Sequence, residues 1–291
     1  MSRVASLAHA SWTAPADADV TARAVPSLES GSVLFLPQLP FVIDASDADL
    51  FSPEILSSSK NTSFDPSTGR VGGTTLTGAP LERLRGVLSR YSDASQSLVH
   101  HLLPEYASRI QRARASFRPA QIAGRQSSWR KDDSRLHVDA FPASPVQGRR
   151  ILRVFANVNP HGEPRQWRVG GDFEAVARRF APALSLPMPG AALLLRALRV
   201  TKAMRTPYDA LMLQLHDRMK EDAAFQQDGE QEAFAFPAGT TWLTFTDQVG
   251  HAAMSGQYQL EQTFLLPVAA MRNAAASPLR VLERVKGRPL V

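Results

Sequence analysis

The stretch "SRLHVDAFPASP", residues 134–145, places a histidine and an aspartate on either side of one valine. In an extended strand, side chains two residues apart point to the same face, so we expect His137 and Asp139 to lie side by side. An imidazole and a carboxylate in this arrangement suit two of the three ligands of a non-haem Fe(II) facial triad, which needs a second histidine from elsewhere. The alternative is a solvated His–Asp pair at a strand end, because such a triplet often arises by chance.

The composition limits the chemistry and the location that this motif can serve. The 291 residues include no cysteine, which excludes disulfides, thiolate metal sites and cysteine nucleophiles. Apolar residues make up 44% of the chain and charged residues 21%, as in ordinary globular proteins. There is no apolar run long enough for a transmembrane helix, and the first residues do not resemble a signal peptide. We therefore expect a cytoplasmic protein whose metal ligands are His, Asp or Glu.

Basic residues outnumber acidic ones by 33 to 27, and many of them lie between Arg109 and Arg135. Such a stretch favours a polyanionic partner: nucleic acid, an anionic glycolipid, or the phospholipid head groups of an anionic membrane surface, to which the protein would bind peripherally. No nucleic-acid motif accompanies it, so no nucleic acid is expected as a partner. A solvated helix face is the alternative. The basic residues of the stretch are Arg109, Arg112, Arg114, Arg118, Arg125, Arg130, Lys131 and Arg135.

The pattern of apolar residues predicts one α+β domain over residues 1–291, because neither an internal repeat nor a clear linker divides the chain. Residues 1–31 show little periodicity and are expected to form a loosely ordered lead-in. Apolar spacings of three and four predict helices over 80–115. β-Branched and aromatic runs predict a β-core over 127–267, with a helical insertion over 172–225.

Among the seven histidines, His251 has the context that best suits a partner for His137. It follows the apolar strand "TWLTF" (241–245) and precedes another long apolar strand, so it can reach back across a barrel to the H-x-D motif. The other histidines are adjacent in a helix, in the lead-in, in a turn or on the surface of an amphipathic helix. They are His100 and His101, His9, His161 and His216, respectively.

Three stretches resemble the Kdo hydroxylases, a branch of the Fe(II)- and 2-oxoglutarate-dependent dioxygenases. They are "WRKDDSRLHVDAFP" (129–142), "GRRILRVFANVNP" (148–160) and "TWLTFTDQVGHAAMSGQ" (241–257). The resemblance covers residues 127–267 well and the N-terminal half loosely. Enzymes of this family hydroxylate 3-deoxy-D-manno-oct-2-ulosonic acid (Kdo) in the lipopolysaccharide inner core, so the resemblance implies a Kdo-containing lipid A precursor as the substrate.

The resemblance also implies a double-stranded β-helix, a jelly-roll or cupin-like core flanked by helices. In that fold His137, Asp139 and His251 would hold Fe(II) and leave positions for 2-oxoglutarate and O2. Many relatives bind the distal carboxylate of 2-oxoglutarate with an arginine soon after the second histidine, and this chain has none there.

A basic residue on the strand after the H-x-D motif is therefore the candidate for binding 2-oxoglutarate. We favour Arg153, with Arg150 second, and expect Asn157 to help hold the same cosubstrate. The alternative is an ion pair between Arg153 and a protein carboxylate such as Glu261.

The residues just before the metal motif are candidates for binding the sugar, since arginines beside an aromatic platform suit a carboxylated, polyhydroxylated ligand. They are Trp129, Arg130, Lys131 and Arg135. Two other functions stay open from the residues alone. One is a hydroxylase of the same superfamily that acts on protein or nucleic acid. The other is a non-catalytic barrel that binds anionic glycolipid through an arginine-rich helix.

Overall fold

Two β-sheets form the centre of the computed structural model, which describes residues 2–57, 60–124 and 127–291. The larger sheet has the order β1-β2-β9-β6-β11-β5-β3-β4 and the smaller one β10-β7-β8. All pairs are antiparallel except β1 with β2. The strands are β1 (Val4–Ser6), β2 (Val33–Leu36), β3 (Thr62–Asp65), β4 (Arg70–Gly72), β5 (Gln111–Arg118), β6 (Arg150–Asn157), β7 (Arg165–Gly170), β8 (Gln231–Phe236), β9 (Thr240–Phe245), β10 (His251–Ser255) and β11 (Gln259–Leu266).

The helices lie before, between and after the strands of these sheets. They are α1 (Ala18–Glu29), α2 (Gly78–Leu102), α3 (Phe173–Phe180), α4 (Ala191–Ala197), α5 (Pro207–Glu221), α6 (Ala223–Asp228) and α7 (Pro278–Lys286). Four of them, α3 to α6, come between β7 and β8, over the range where the sequence predicts a helical insertion. Within the described residues, no helix has both the length and the apolar character needed to span a bilayer.

An aromatic layer joins the two sheets face to face. Phe155 of β6 and Trp242 of β9 belong to the large sheet, whereas Trp167 of β7 and Phe236 of β8 belong to the small one. The ring centroids of Phe155 and Trp167 are 5.1 Å apart, and those of Phe236 and Trp242 are 4.1 Å apart. Burial of such large rings is a major stabilising contribution, and the facing sheets form the double-stranded β-helix that the resemblance implies.

The opposite face of the large sheet is covered by α1 and α2. Leu152 and Val154 of β6 lie in one buried cluster with Val25 of α1 and Leu98 of α2. The hydroxyl of Tyr91, also on α2, donates a hydrogen bond to the carbonyl of Val154 at 2.9 Å. Because both faces of β6 are covered, every residue of this strand is buried.

The N-terminal part of the chain differs from its prediction. Residues 1–31 are not a loosely ordered lead-in: they contain β1, at the edge of the large sheet, and α1. Val20, Ala24 and Leu28 bury one face of α1 at a helical spacing. That face has few large apolar residues, and the helix also contains Pro26, which is unfavourable inside a helix, so the helical pattern is weak in the sequence.

The predicted helix over 80–115 is also partly wrong, because α2 ends at Leu102 and β5 begins at Gln111. Strand β5 has the sequence "QRARASFR", in which arginine and small or apolar residues alternate with the period of a strand. The β-core accordingly starts well before residue 127, since five strands precede it. The arginine-rich helix invoked for a glycolipid-binding barrel is therefore a strand.

Arg150 has a structural role that can be tested by unfolding. Its guanidinium is fully buried, lies 2.7 Å from Asp247, donates to Gln248 at 2.6 Å and stacks over Phe245. We expect Arg150→Ala to lower the free energy of unfolding by about 3–5 kcal/mol, because it leaves Asp247 buried without its counter-charge. Urea unfolding followed by tryptophan fluorescence would measure this loss. The control Arg149→Ala should cost about 1 kcal/mol or less, and an equal loss for both variants would contradict the assignment.

Candidate active site

The H-x-D segment is held against the start of β10 by backbone hydrogen bonds. The amide of His137 donates to the carbonyl of His251 at 3.1 Å, and the amide of His251 donates to the carbonyl of His137 at 2.8 Å. The amide of Asp139 donates to the carbonyl of Thr246 at 2.7 Å. The motif is thus extended, and the alternation of its side chains turns His137 and Asp139 toward the same side.

The three side chains named from the sequence meet at one point. His137, Asp139 and His251 each offer a ligand atom, and these atoms all lie within 4.8 Å of one another. The imidazole centroids of the two histidines are 4.7 Å apart. Among the described residues, no other group of three or more His, Asp or Glu side chains has this geometry.

Backbone carbonyls fix the tautomer of both imidazoles. Nδ1 of His137 lies 2.7 Å from the carbonyl of Arg135, and Nδ1 of His251 lies 2.9 Å from the carbonyl of Val249. Because a carbonyl only accepts, Nδ1 carries the proton in each ring, and the lone pair of Nε2 is left for a metal. Hydrogen bonds of this kind orient histidines that bind metals.

Burial and neighbouring charges set the protonation states that metal binding requires. Burial and the proximity of His251 hold the pKa of His137 well below its usual value, and burial lowers the pKa of His251 as well. Burial alone would raise the pKa of Asp139, but the guanidinium of Arg153 and the two imidazoles hold it well below its ordinary range. The site therefore presents two neutral imidazoles and one carboxylate near neutral pH.

These residues fit a divalent iron ion. Oδ2 of Asp139 is buried and accepts no hydrogen bond, although Arg153 Nε lies 3.1 Å away. A buried carboxylate oxygen without a donor is costly unless a cation completes its surroundings. Two neutral imidazoles and one carboxylate are the ligand set of the facial triad, which leaves open positions on the metal.

A cavity of about 660 Å³ adjoins the triad through Arg153, which lines it and also contacts Asp139. Three arginines of β5 point into this cavity at alternate positions, because their strand turns every second side chain toward it. The basic residues that line it are Arg112, Arg114, Arg118, Arg149, Arg153 and Lys202, against Asp65 and Glu261. A cavity with this excess of positive charge suits an anionic ligand.

The inner end of the cavity is a connected set of ion pairs. Glu261 lies 2.7 Å from Arg153 and 3.2 Å from Arg118, and Arg118 lies 3.3 Å from Asp133. Lys60 pairs with Asp133 at 2.6 Å, and Asp139 completes the set through Arg153. Among the described residues, these contacts connect three positive and three negative formal charges.

The candidates for binding 2-oxoglutarate are not brought together. Arg153 reaches the cavity, where it pairs with Glu261 as the alternative interpretation anticipated. Arg150 points to the opposite face of β6, away from the cavity, and pairs with Asp247. Asn157 lies outside this cavity: its amide nitrogen donates to two backbone carbonyls and its oxygen accepts from the amide of Asn159. Its hydrogen bonds are therefore used within the protein.

The residues before the metal motif do not line the cavity either. Arg130 stacks on the ring of Trp129 at 4.0 Å and pairs with Asp217 on α5. Arg135 donates to the carbonyl of Lys220 on the same helix, and Lys131 is exposed. This segment packs on α5 instead of edging the cavity, and Arg125 of the basic stretch lies outside the described residues.

Two residues of the site were not identified from the sequence. Arg118 was noted only as part of a basic stretch, although the alternation of β5 could have placed it beside Arg112 and Arg114. His216 was taken as a surface residue, but its ring lies edge-on to His137 with centroids 5.2 Å apart. The buried residues Met212, Leu215 and Met219 place His216 on the apolar face of α5, a signal that was available.

The lowered pKa values of the histidines predict how stability depends on pH. Below about pH 6.5, His137 and His251 become protonated in the unfolded chain but stay neutral in the folded protein. The free energy of unfolding should therefore fall as pH falls from about 6.5 to 5, by up to about 1.4 kcal/mol per pH unit and histidine. Urea unfolding of the metal-free protein at several pH values would test this. The double variant His137→Gln/His251→Gln should show a smaller slope, and an equal slope would contradict the prediction.

Comparison with known proteins gives a family match over nearly the whole chain. A model of the 3-deoxy-D-manno-oct-2-ulosonic acid (Kdo) hydroxylase family matches residues 11–289. No curated protein sequence matches the chain.

Solved structures of the Kdo hydroxylase KdoO, described as a non-haem Fe(II) α-ketoglutarate-dependent dioxygenase, are similar to this chain throughout. The complex with cobalt(II) is 44% identical in sequence, and the match covers 100% of this chain and 98% of the KdoO chain, with a TM-score of 0.97. The complex with α-ketoglutarate and Fe(III) is 44% identical, and the match covers 99% of this chain and 97% of the KdoO chain, with a TM-score of 0.96. The complex with succinate and Fe(III) is 44% identical, and the match covers 100% of this chain and 98% of the KdoO chain, with a TM-score of 0.96.

Proposed function

The chain belongs to the Kdo hydroxylase family, and from this membership we propose that it hydroxylates the Kdo sugar of a lipid A precursor. It is a non-haem Fe(II)- and 2-oxoglutarate-dependent dioxygenase, and it uses iron, 2-oxoglutarate and O2. When bound, iron with these cosubstrates supplies the oxidising power for hydroxylation, and the protein supplies binding, orientation and the exclusion of water.

The observation that carries the proposal is the contact between the triad and the basic cavity through Arg153. In this proposal His137, Asp139 and His251 hold the iron, with both imidazoles pre-oriented by carbonyl groups. Kdo carries a carboxylate and its lipid carrier carries phosphates, so an anionic sugar suits a cavity lined by arginines.

Arg153 is proposed to bind a carboxylate of 2-oxoglutarate, with Arg118 beside it. Arg153 is buried and Arg118 is half-buried at the cavity, and the Nε of each lacks a hydrogen-bond partner. In this proposal the divalent iron ion and the dianionic cosubstrate add opposite charges of equal size beside these arginines. Glu261, which contacts both arginines, would then share them with the cosubstrate.

We also propose that the protein works at an anionic membrane surface, because its proposed substrate is anchored in a lipid bilayer. The sequence pointed to the stretch from Arg109 to Arg135 for this contact. In the structure, however, Arg112, Arg114 and Arg118 line the cavity, so these arginines suit the anionic substrate better than a flat surface.

The proposed function is tested by incubating the protein with detergent-dispersed Kdo–lipid A, Fe(II), 2-oxoglutarate and O2. We expect the sugar to gain one oxygen atom by mass spectrometry while 2-oxoglutarate is converted to succinate. Conversion of 2-oxoglutarate without any change in the sugar would support the dioxygenase activity and refute the proposed substrate. Sugar analysis of lipopolysaccharide from a strain lacking the gene provides the matching test in cells, where the hydroxylated Kdo should be absent.

A further inference from the structure

Helix α4 and the loops beside it expose most of the large apolar side chains that are exposed in the described residues. Seven of the ten such side chains lie between residues 186 and 204, with exposures from 38% to 80%. The most exposed are Met188, Leu193, Leu194 and Leu198. Residues 186–204 are called the α4 surface below. Monomeric proteins rarely expose so large a cluster of apolar residues without a binding function.

Packing within the chain does not explain why α4 is apolar. The helix has the sequence "AALLLRA", and none of its seven residues is buried. A helix this short gains little stability from its own hydrogen bonds and usually depends on an apolar face that packs against something else. Leu193 and Leu194 of α4 are exposed, so a partner outside the chain is needed to cover them.

The charges around α4 indicate what that partner is. The chain has no acidic residue from Ala175 to Tyr208, whereas Arg196, Arg199, Lys202 and Arg205 lie within or beside the α4 surface. Exposed leucines interleaved with basic residues are typical of segments that lie in the interface of an anionic membrane. A second copy of the chain would oppose the same positive charges to one another, which disfavours a symmetric dimer through this surface.

The α4 surface also adjoins the substrate cavity. Lys202 lines that cavity, and its amide donates to the carbonyl of Ala143, another lining residue, at 2.8 Å. We propose that the α4 surface inserts into the interface of an anionic membrane and so places the cavity beside a lipid-anchored substrate. This inference rests on the proposed function for the substrate, but the membrane contact itself is independently testable.

Cosedimentation of the full chain with vesicles tests the α4 surface. The protein should bind vesicles of phosphatidylcholine with phosphatidylglycerol, and bind vesicles of phosphatidylcholine alone more weakly. Leu194→Glu and Leu198→Glu should each weaken binding to the anionic vesicles at least tenfold, since burial of one leucine corresponds to about one to two factors of ten. The control Val42→Glu changes a valine that is more exposed than either leucine but lies outside the α4 surface, and it should leave binding unchanged.

Three results would overturn the inference: wild-type binding by both leucine variants, an equal loss in Val42→Glu, or a dimer in sedimentation velocity that both leucine substitutions dissociate. Hydroxylation of detergent-dispersed Kdo–lipid A separates this inference from the proposed function. Leu194→Glu should retain that activity, because it touches neither the triad nor the cavity. If neither protein hydroxylates the sugar but vesicle binding behaves as expected, the substrate proposal fails and the membrane surface stands.

Discussion

His137→Ala, Asp139→Ala and His251→Ala should each abolish conversion of 2-oxoglutarate and leave the fold intact. Each substitution removes one of three proposed protein ligands, so the loss should exceed the roughly 10- to 100-fold that follows removal of an outer hydrogen-bond partner. The fold should survive because the backbone hydrogen bonds between His137 and His251 do not require their side chains. Succinate formation measures activity, and circular dichroism with thermal unfolding measures the fold.

His161→Ala is the matched control for the triad variants, because His161 is an exposed histidine outside the site. It should keep wild-type activity. A metal titration of each variant adds a second measurement, in which the three triad variants should bind Co(II) more weakly than the wild type. Retained activity in His251→Ala would refute its assignment as a ligand, and His216, which contacts His137, would be tested next.

Arg153→Ala should weaken the binding of 2-oxoglutarate by roughly a hundredfold or more. Removing one partner of a buried charge-assisted pair typically costs about 3–5 kcal/mol of free energy, and each 1.4 kcal/mol of binding free energy is about tenfold in affinity. The anaerobic Fe(II) protein is titrated with 2-oxoglutarate, and the metal-to-ligand charge-transfer band gives the midpoint. Iron binding should persist because no ligand is removed, and Glu261 keeps its contact with Arg118.

Two arginine variants separate a specific role of Arg153 from a general effect of charge. Arg112 lines the same cavity but pairs with the exposed Asp93, so Arg112→Ala should shift the midpoint little. Arg150→Ala should lower stability and leave the midpoint of the folded protein unchanged. An unchanged midpoint for Arg153→Ala with a large shift for Arg150→Ala would transfer the role to Arg150.

The central part of the site could be predicted because it depends on short-range geometry. His137 and Asp139 share a face in any extended segment, and their chemistry limits the metals they suit. His251 was selected because apolar strands flank it; those strands are β9 and β11, and His251 itself begins β10. The fold class followed from the motifs of the family and not from periodicity alone.

The arginines show where local patterns were insufficient. The period of two in β5 was overlooked because a helix precedes it and arginine is compatible with a helix. What makes this segment a strand is its pairing with β11, in which Ala115 lies opposite Gln262, and that register joins distant parts of the chain. Tertiary pairing, not local preference, therefore turned Arg112, Arg114 and Arg118 toward the cavity.

The sequence by itself identified the three candidate ligands, excluded thiol chemistry and indicated the family of this protein. Only the tertiary structure decided which arginine reaches the triad, that Asn157 is bound to backbone groups, and that His216 lies against His137. The physical reason is one of range. Side-chain alternation is fixed within a few residues, whereas the partner of a buried charge depends on which distant strands and helices pack around it.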